Sequence, residues 1–131
     1  MGSLHVSFRE VSHSGKTFAL EVREENKKML FMPDADVSLM SSFPHSNYDL
    51  LVCDAFHLTD DKKRKGSWGH SSSVEAVAFA KKIKAKKLSL FHYAPEYSSA
   101  DIQKLYLEAK AANGNDSLSL ALSYDEEILD I

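Results

Sequence analysis

Over the first third of the chain, hydrophobic and polar positions alternate; further on they run together. Val6, Phe8 and Val11 are spaced for an extended segment, and Phe18, Leu20 and Val22 share one face of a second. Residues 29–32 form an apolar run stopped by Pro33 and Asp34. The clusters Ser12-His13-Ser14-Gly15-Lys16 and Glu24-Glu25-Asn26 separate these segments as turns, which predicts a β-meander. Residues 37–47 read as an irregular or short helical connector. In Leu50-Leu51-Val52-Cys53 the hydrophobicity is continuous, the mark of a strand covered on both faces, and this strand ends on Asp54. A further buried strand spans 87–93. It closes at His92, and Pro95 forbids its continuation.

Two helices are expected between and after these strands. Ser72 with Glu75 fits a capping box, and Val74, Val77, Ala78 and Ile83 give a helical apolar face, which predicts a helix over 71–85. Ile102, Leu105, Tyr106 and Ala109 predict a second over 99–112, ended by Asn113-Gly114-Asn115. Leu118, Leu120 and Leu122 then alternate, and a short terminal strand over 127–131 would complete a C-terminal hairpin. The expected fold class is α/β: a mixed sheet with two helices on one face and the strand over 48–53 in its interior. No internal repeat is visible.

Composition narrows this picture without redirecting it. The 131 residues suit a single domain, 1–131. Hydrophobic residues make up 44% and charged residues 27%, the balance of an ordinary globular domain. A net charge of −3 leaves no basic footprint for holding nucleic acid by phosphate neutralisation alone. The one cysteine, Cys53, excludes an internal disulfide and a cysteine-rich zinc site, and its apolar setting suits a buried residue better than a nucleophile. No apolar run has the length of a membrane span. No secretory signal opens the chain, and Val6 breaks the myristoylation pattern, so no membrane partner and a cytoplasmic location are expected.

Candidate chemistry gathers where strands end. His92 stands at the end of one strand and Asp34 directly follows another, within Pro33-Asp34-Ala35-Asp36. His70 stands at the approach to a helix N-terminus, where free backbone N–H groups favour a phosphate or carboxylate. Residue type alone fits a proline-aspartate turn and two surface histidines equally well. Residues 56–69 read as a polar loop in which Lys62 to Lys65 are either solvated or face a phosphate. Trp68 in that loop is expected to pack against something.

The strings YDLLVCDAF, GSWGHSSSVEAVAFAKK and KKLSLFHYAPEYSSADIQKL, in that order, resemble the C-terminal half of metallo-β-lactamase-fold hydrolases. The likeness is to the phosphodiesterase branch, which includes the tRNA 3′-processing endonucleases. The upstream segment HSGKTFALEVREENKKMLFMPDAD resembles the stretch in which that family delivers a metal-bridging aspartate. The resemblance implies half of an αββα sandwich, a divalent metal (Zn or Mn), and a phosphodiester-type small molecule or RNA as substrate. It assigns metal roles to Asp34, as the bridging carboxylate, and to His92, as the last histidine ligand. His70 takes the catalytic role beside the substrate phosphate. Asp36 is the weaker alternative to Asp34, and His13 is expected to have no metal role.

The family's His-x-His-x-Asp-His run does not occur in this sequence; His5, His13, His45 and His57 are scattered singly. Two readings follow. In the first, the chain is the C-terminal part, or a truncated member, of a metal-dependent hydrolase, inactive alone and completed by an N-terminal half. In the second, it is a non-catalytic half-fold that homodimerises through an exposed sheet face.

Overall fold

The computed structural model describes residues 2–125 together with Glu127 and Leu129. The continuous apolar run at the middle of the chain becomes β4 (Leu50–Asp54), and the run before His92 becomes β5 (Lys87–Phe91). The alternating segments become β1 (Leu4–Val11), β2 (Thr17–Glu24) and β3 (Lys27–Met32), and β6 (Ser119–Leu122) lies beyond β5. All six form one sheet in the order β1-β2-β3-β4-β5-β6. The meander is antiparallel, and from β3 onward every neighbour is parallel. The C-terminal ends of β3, β4 and β5 therefore share one rim, and the chemistry sits there.

Parallel neighbours need crossovers, and the helices supply them. The helix α2 (Ser73–Lys82) links β4 to β5, and α3 (Ser99–Asn113) links β5 to β6. Each begins with a capping box, Ser72 with Glu75 and Ser98 with Asp101. The two helices pack on each other and on one sheet face. The core lies between, built from Leu30, Met32, Leu51, Cys53, Leu88 and Leu90 below and Ala76, Val77, Ala80, Leu105 and Ala109 above. Burial pushes the Cys53 thiol pKa well up, as befits a core residue.

Two expectations need correction, and a third falls largely outside the described residues. Residues 56–69 are not a continuous loop, because α1 (Thr59–Lys65) lies within them. Its sequence runs from Asp60 and Asp61 to Lys62–Lys65, acidic at the N-terminus and basic at the C-terminus, which suits the helix dipole. The sheet is thus accompanied by three helices among the described residues rather than two. The helix expected over 71–85 is shorter, because Ile83 leaves helical geometry and Lys84 takes a positive φ of 54°. Finally, β6 does not turn back at a hairpin within the described residues. The strand expected over 127–131 falls partly outside them, and Glu127 and Leu129 are not in strands.

The opposite sheet face is apolar and opens toward β1 and β2, whereas Leu50 on β4 is only 2% exposed. Phe8, Leu20, Phe31 and Val52 are register partners in one row, and Val6, Val22, Met29 and Leu50 in the next. None of them belongs to the core that the helices cover. Phe8 is 72% exposed, Leu4 63% and Phe18 48%. Leu118, Leu120 and Leu122 pack with the helix-covered core instead of adding to this face.

A buried carboxylate clasps the loop before β4 to the meander. Glu21 accepts hydrogen bonds from Tyr48 Oη and Arg23, with His45 Nδ1 at 2.9 Å. Burial pushes the Glu21 pKa up, but the hydrogen bonds from Tyr48, His45 and Arg23 outweigh it. The carboxyl titrates below the ordinary value of 4.5. A depressed folded-state pKa contributes stability that is present above 4.5 and lost as pH falls through the folded value. Removing the Tyr48 hydroxyl (Tyr48→Phe) should cost about 1.5–3 kcal/mol at neutral pH and flatten the acid limb of stability below pH 4.5. Urea unfolding at a series of pH values reads both; an acid limb unchanged in slope would remove Glu21 as its source.

Candidate metal centre

Asp34 leaves the end of β3, Asp54 closes β4, and His92 follows β5, so parallel pairing puts them side by side at one rim. His70 reaches the same place from the loop before α2. Asp34, Asp54, His70 and His92 each offer a ligand atom, and these four atoms lie within 4.8 Å of one another.

Asp54 is the buried centre of the group, with no exposed surface. Its Oδ2 accepts from Ala35 N at 3.1 Å and its Oδ1 from Phe56 N at 3.0 Å. His70 Nδ1 lies 2.6 Å from Oδ2. With Asp54 ionised, its oxygens can only accept, and Nδ1 then carries the imidazole proton while Nε2 is left for other work. Burial pushes the Asp54 pKa up, against the pull of His70 and the two backbone amides, and the net shift is upward. The His70 ring is stacked on Phe56, centroids 4.4 Å apart, and is flanked by His13 and His92 at 4.8 and 5.0 Å.

His92 is held differently. Its backbone is left-handed, φ 60°, a conformation that non-glycine residues adopt at a cost and that recurs at functional sites. This turn brings Nδ1 to 2.7 Å from Asp34 Oδ1 and 3.6 Å from Asp54 Oδ2. Nδ1 is nevertheless buried without an aligned hydrogen bond. A ring nitrogen and two carboxylate oxygens thus converge on one point without satisfying one another. That arrangement fits a divalent cation with nitrogen and oxygen ligands. The described residues supply one such cluster, fewer ligands than two metals would need.

Asp36 does not join. Its carboxylate is taken by Ser38, Ser67 and Lys62, the last at 2.9 Å. Burial raises its pKa, the hydrogen bonds from Ser38, Ser67 and Lys62 lower it more, and it titrates below the usual aspartate range. Lys62 also reaches Glu75 at 2.6 Å, and Lys65 reaches Glu96 at 3.3 Å, so these lysines serve ion pairs that fix α1 rather than a bare phosphate-facing run. His13, for which no metal role is expected, is not among the four clustered residues; it packs on His70 and has Nδ1 2.6 Å from Gly69 O. Asp54 is the residue that sequence reasoning passed over. Its signal was available: it ends the strand between those that deliver Asp34 and His92.

The profile of the Beta-lactamase superfamily domain matches residues 2–93, and the chain belongs to that family. Among curated relatives, Ribonuclease Z of Brevibacillus brevis is 33% identical over 87 residues, which cover 66% of this chain and 27% of that protein. Ribonuclease Z of Listeria welshimeri is 34% identical over 80 residues, 61% of this chain and 26% of that protein. The chain thus spans about a quarter of the length of these relatives. Two solved structures share the fold at 22% identity and a TM-score of 0.70. The metallo-beta-lactamase fold protein YhfI from Bacillus subtilis covers 92% of this chain, which spans 46% of it. The short form of human tRNase Z covers 98%, and this chain spans 43% of it. The mixed six-stranded sheet with its helices is therefore a metallo-β-lactamase-type architecture.

Proposed function

We propose that residues 1–131 form one domain, the C-terminal half of a metallo-β-lactamase-fold hydrolase that cleaves phosphodiesters, RNA among them, in the cytoplasm. The observation that carries this reading is the convergence of Asp34, Asp54, His70 and His92 at one sheet rim. Asp34 and His92 would hold a divalent metal, Zn²⁺ or Mn²⁺, and Asp34 would serve as the bridging carboxylate if a second metal were bound. When bound, such a metal supplies Lewis-acid stabilisation of the phosphoryl oxygens and lowers the pKa of water. His70 presents Nε2 to the substrate phosphate, while Asp54 fixes its ring through Nδ1 and stabilises the imidazolium when Nε2 carries a proton for the leaving oxygen. Phe56 keeps water from that face of the ring.

The test is turnover of an aryl phosphodiester with Zn²⁺ or Mn²⁺. The 131-residue chain alone is expected to give little, because its cluster holds too few ligands for two metals. In a longer form or complex that supplies the rest, His70→Ala should lower kcat by about 10²–10⁴ with metal affinity unchanged. An unaltered kcat would remove His70 from catalysis.

A second reading is favoured by the open sheet face, with Leu4, Phe8 and Phe18 in water. Contiguous apolar patches of this kind mark interaction surfaces. Here the chain is an assembly module that homodimerises sheet to sheet. Sedimentation equilibrium separates the two readings: a monomer at high concentration would sink the module.

A further inference from the structure

We infer that Trp68 is a platform on which a base of the substrate stacks, so that the site selects nucleotide phosphodiesters over base-free ones. This rests on the phosphodiester reading above and adds to it a residue that determines specificity.

Trp68 is the chain's single tryptophan, and it is 56% exposed. An indole on a polar segment ordinarily packs; this one is held out into solvent by a rigid loop. Gly66, Trp68 and Gly69 all have positive φ, at 92°, 51° and 82°. For tryptophan that conformation is strained and persists only where its surroundings enforce it. They do so through Ser67 and Gly69. His57 Nε2 lies 2.7 Å from Ser67 O, Gly69 N donates to Ser67 Oγ at 3.1 Å, and His70 N donates to Ser67 O at 3.0 Å. Ser67 Oγ in turn donates to the buried Asp36 carboxylate. Gly69 cannot be replaced freely: a Cβ there would lie 2.5 Å from His13 Nδ1 and 2.7 Å from the Ser14 backbone nitrogen. The loop is thus built to fix Trp68, whose indole makes an edge contact with His57, at 5.9 Å between centroids, and leaves more than half of the residue exposed.

The position relative to the metal cluster gives the exposure its meaning. Trp68 stands two residues before His70. His92, His70, Phe56 and His57 form a compact group of rings, His70 lying 5.0, 4.4 and 6.4 Å from the other three, and Trp68 joins it through His57 at 5.9 Å. Trp68 thus lies one ring beyond the neighbours of His70. Base–aromatic stacking is tolerant of sequence and needs no charge, which suits a protein of net charge −3.

Because Trp68 is the only tryptophan, its fluorescence reports on this surface alone. The wild-type chain is titrated with adenosine 5′-monophosphate and, in parallel, with ribose 5-phosphate. Saturable quenching by the nucleotide is expected, with little from the sugar phosphate. Nucleotide affinity, read by NMR shifts in wild type and variants, should fall about tenfold in Trp68→Ala and be largely kept in Trp68→Phe. Circular dichroism confirms that both variants are folded. Equal nucleotide affinity in wild type and Trp68→Ala, or quenching that rises linearly without saturation, would overturn the platform. That outcome leaves metal binding by Asp34 and His92 untouched. Conversely, saturable quenching in a longer form or complex that supplies the missing ligands and still binds no metal would keep the platform and sink the hydrolase reading.

Discussion

Replacing His92 by glycine is expected to lower the affinity for Zn²⁺ or Mn²⁺ by about a hundredfold or more. Loss of a partner that merely orients a metal ligand already costs ten- to a hundredfold, and His92 would be a ligand itself. Its Nδ1 is buried, 2.7 Å from Asp34 and without an aligned hydrogen bond. Two carboxylates would remain, and they lack the imidazole donor that favours zinc over harder cations. Glycine is the informative substitution because His92 has φ 60°, a conformation that glycine adopts without the strain a Cβ brings, so the turn is kept when the imidazole is removed. Titration calorimetry measures the affinity and thermal melting without metal checks the fold. Unchanged affinity in a well-folded His92→Gly protein would strike His92 from the ligand set.

The second large effect falls on stability. Asp54→Ala is expected to destabilise the protein by about 2–5 kcal/mol, because it strips the acceptor from two buried backbone N–H groups at about 1–3 kcal/mol each. Those groups are Ala35 N and Phe56 N, and His70 loses its partner as well. One term opposes this: burial has pushed the Asp54 pKa up, so removing the carboxyl also relieves a desolvated group. Asp54→Asn separates the contributions. It keeps one acceptor and removes the charge, and about half the loss is expected. Since domains are stable by only about 5–15 kcal/mol, urea unfolding will resolve both variants. A change in Asp54→Ala within about 0.5 kcal/mol, the range of inert surface substitutions, would show that the strand ends hold together without it.

The strands were legible because their hydrophobic patterns are local. Leu50-Leu51-Val52-Cys53 announces a central strand, and Ser72 with Glu75 announces a helix start, from a few residues each. The position of Asp34 and His92 at strand ends was legible for the same reason. Helix α1 was not, because its seven residues bury nothing and leave no apolar period to read. Its acidic-to-basic order was the available signal. The hydrogen bond from His70 to Asp54 and the stacking of Phe56 depend on the register of β4 against its neighbours, which no window of sequence contains. Trp68 defied expectation because exposure of an indole is enforced by tertiary hydrogen bonds to Ser67, not by its neighbours' polarity.

In the sheet, spatial order and chain order are the same from β1 to β6. No strand must wait for a later one to be inserted beside it, so every pairing closes the shortest loop the chain permits. Loop-closure entropy is kept low, and contacts that are near in sequence form fastest. The sheet can therefore grow from one edge during synthesis, each new strand docking on the one just laid down. Asp34, Asp54, His70 and His92 are all in place once β5 docks, before α3 and β6 leave the ribosome. The candidate metal centre would mature on a chain still being made.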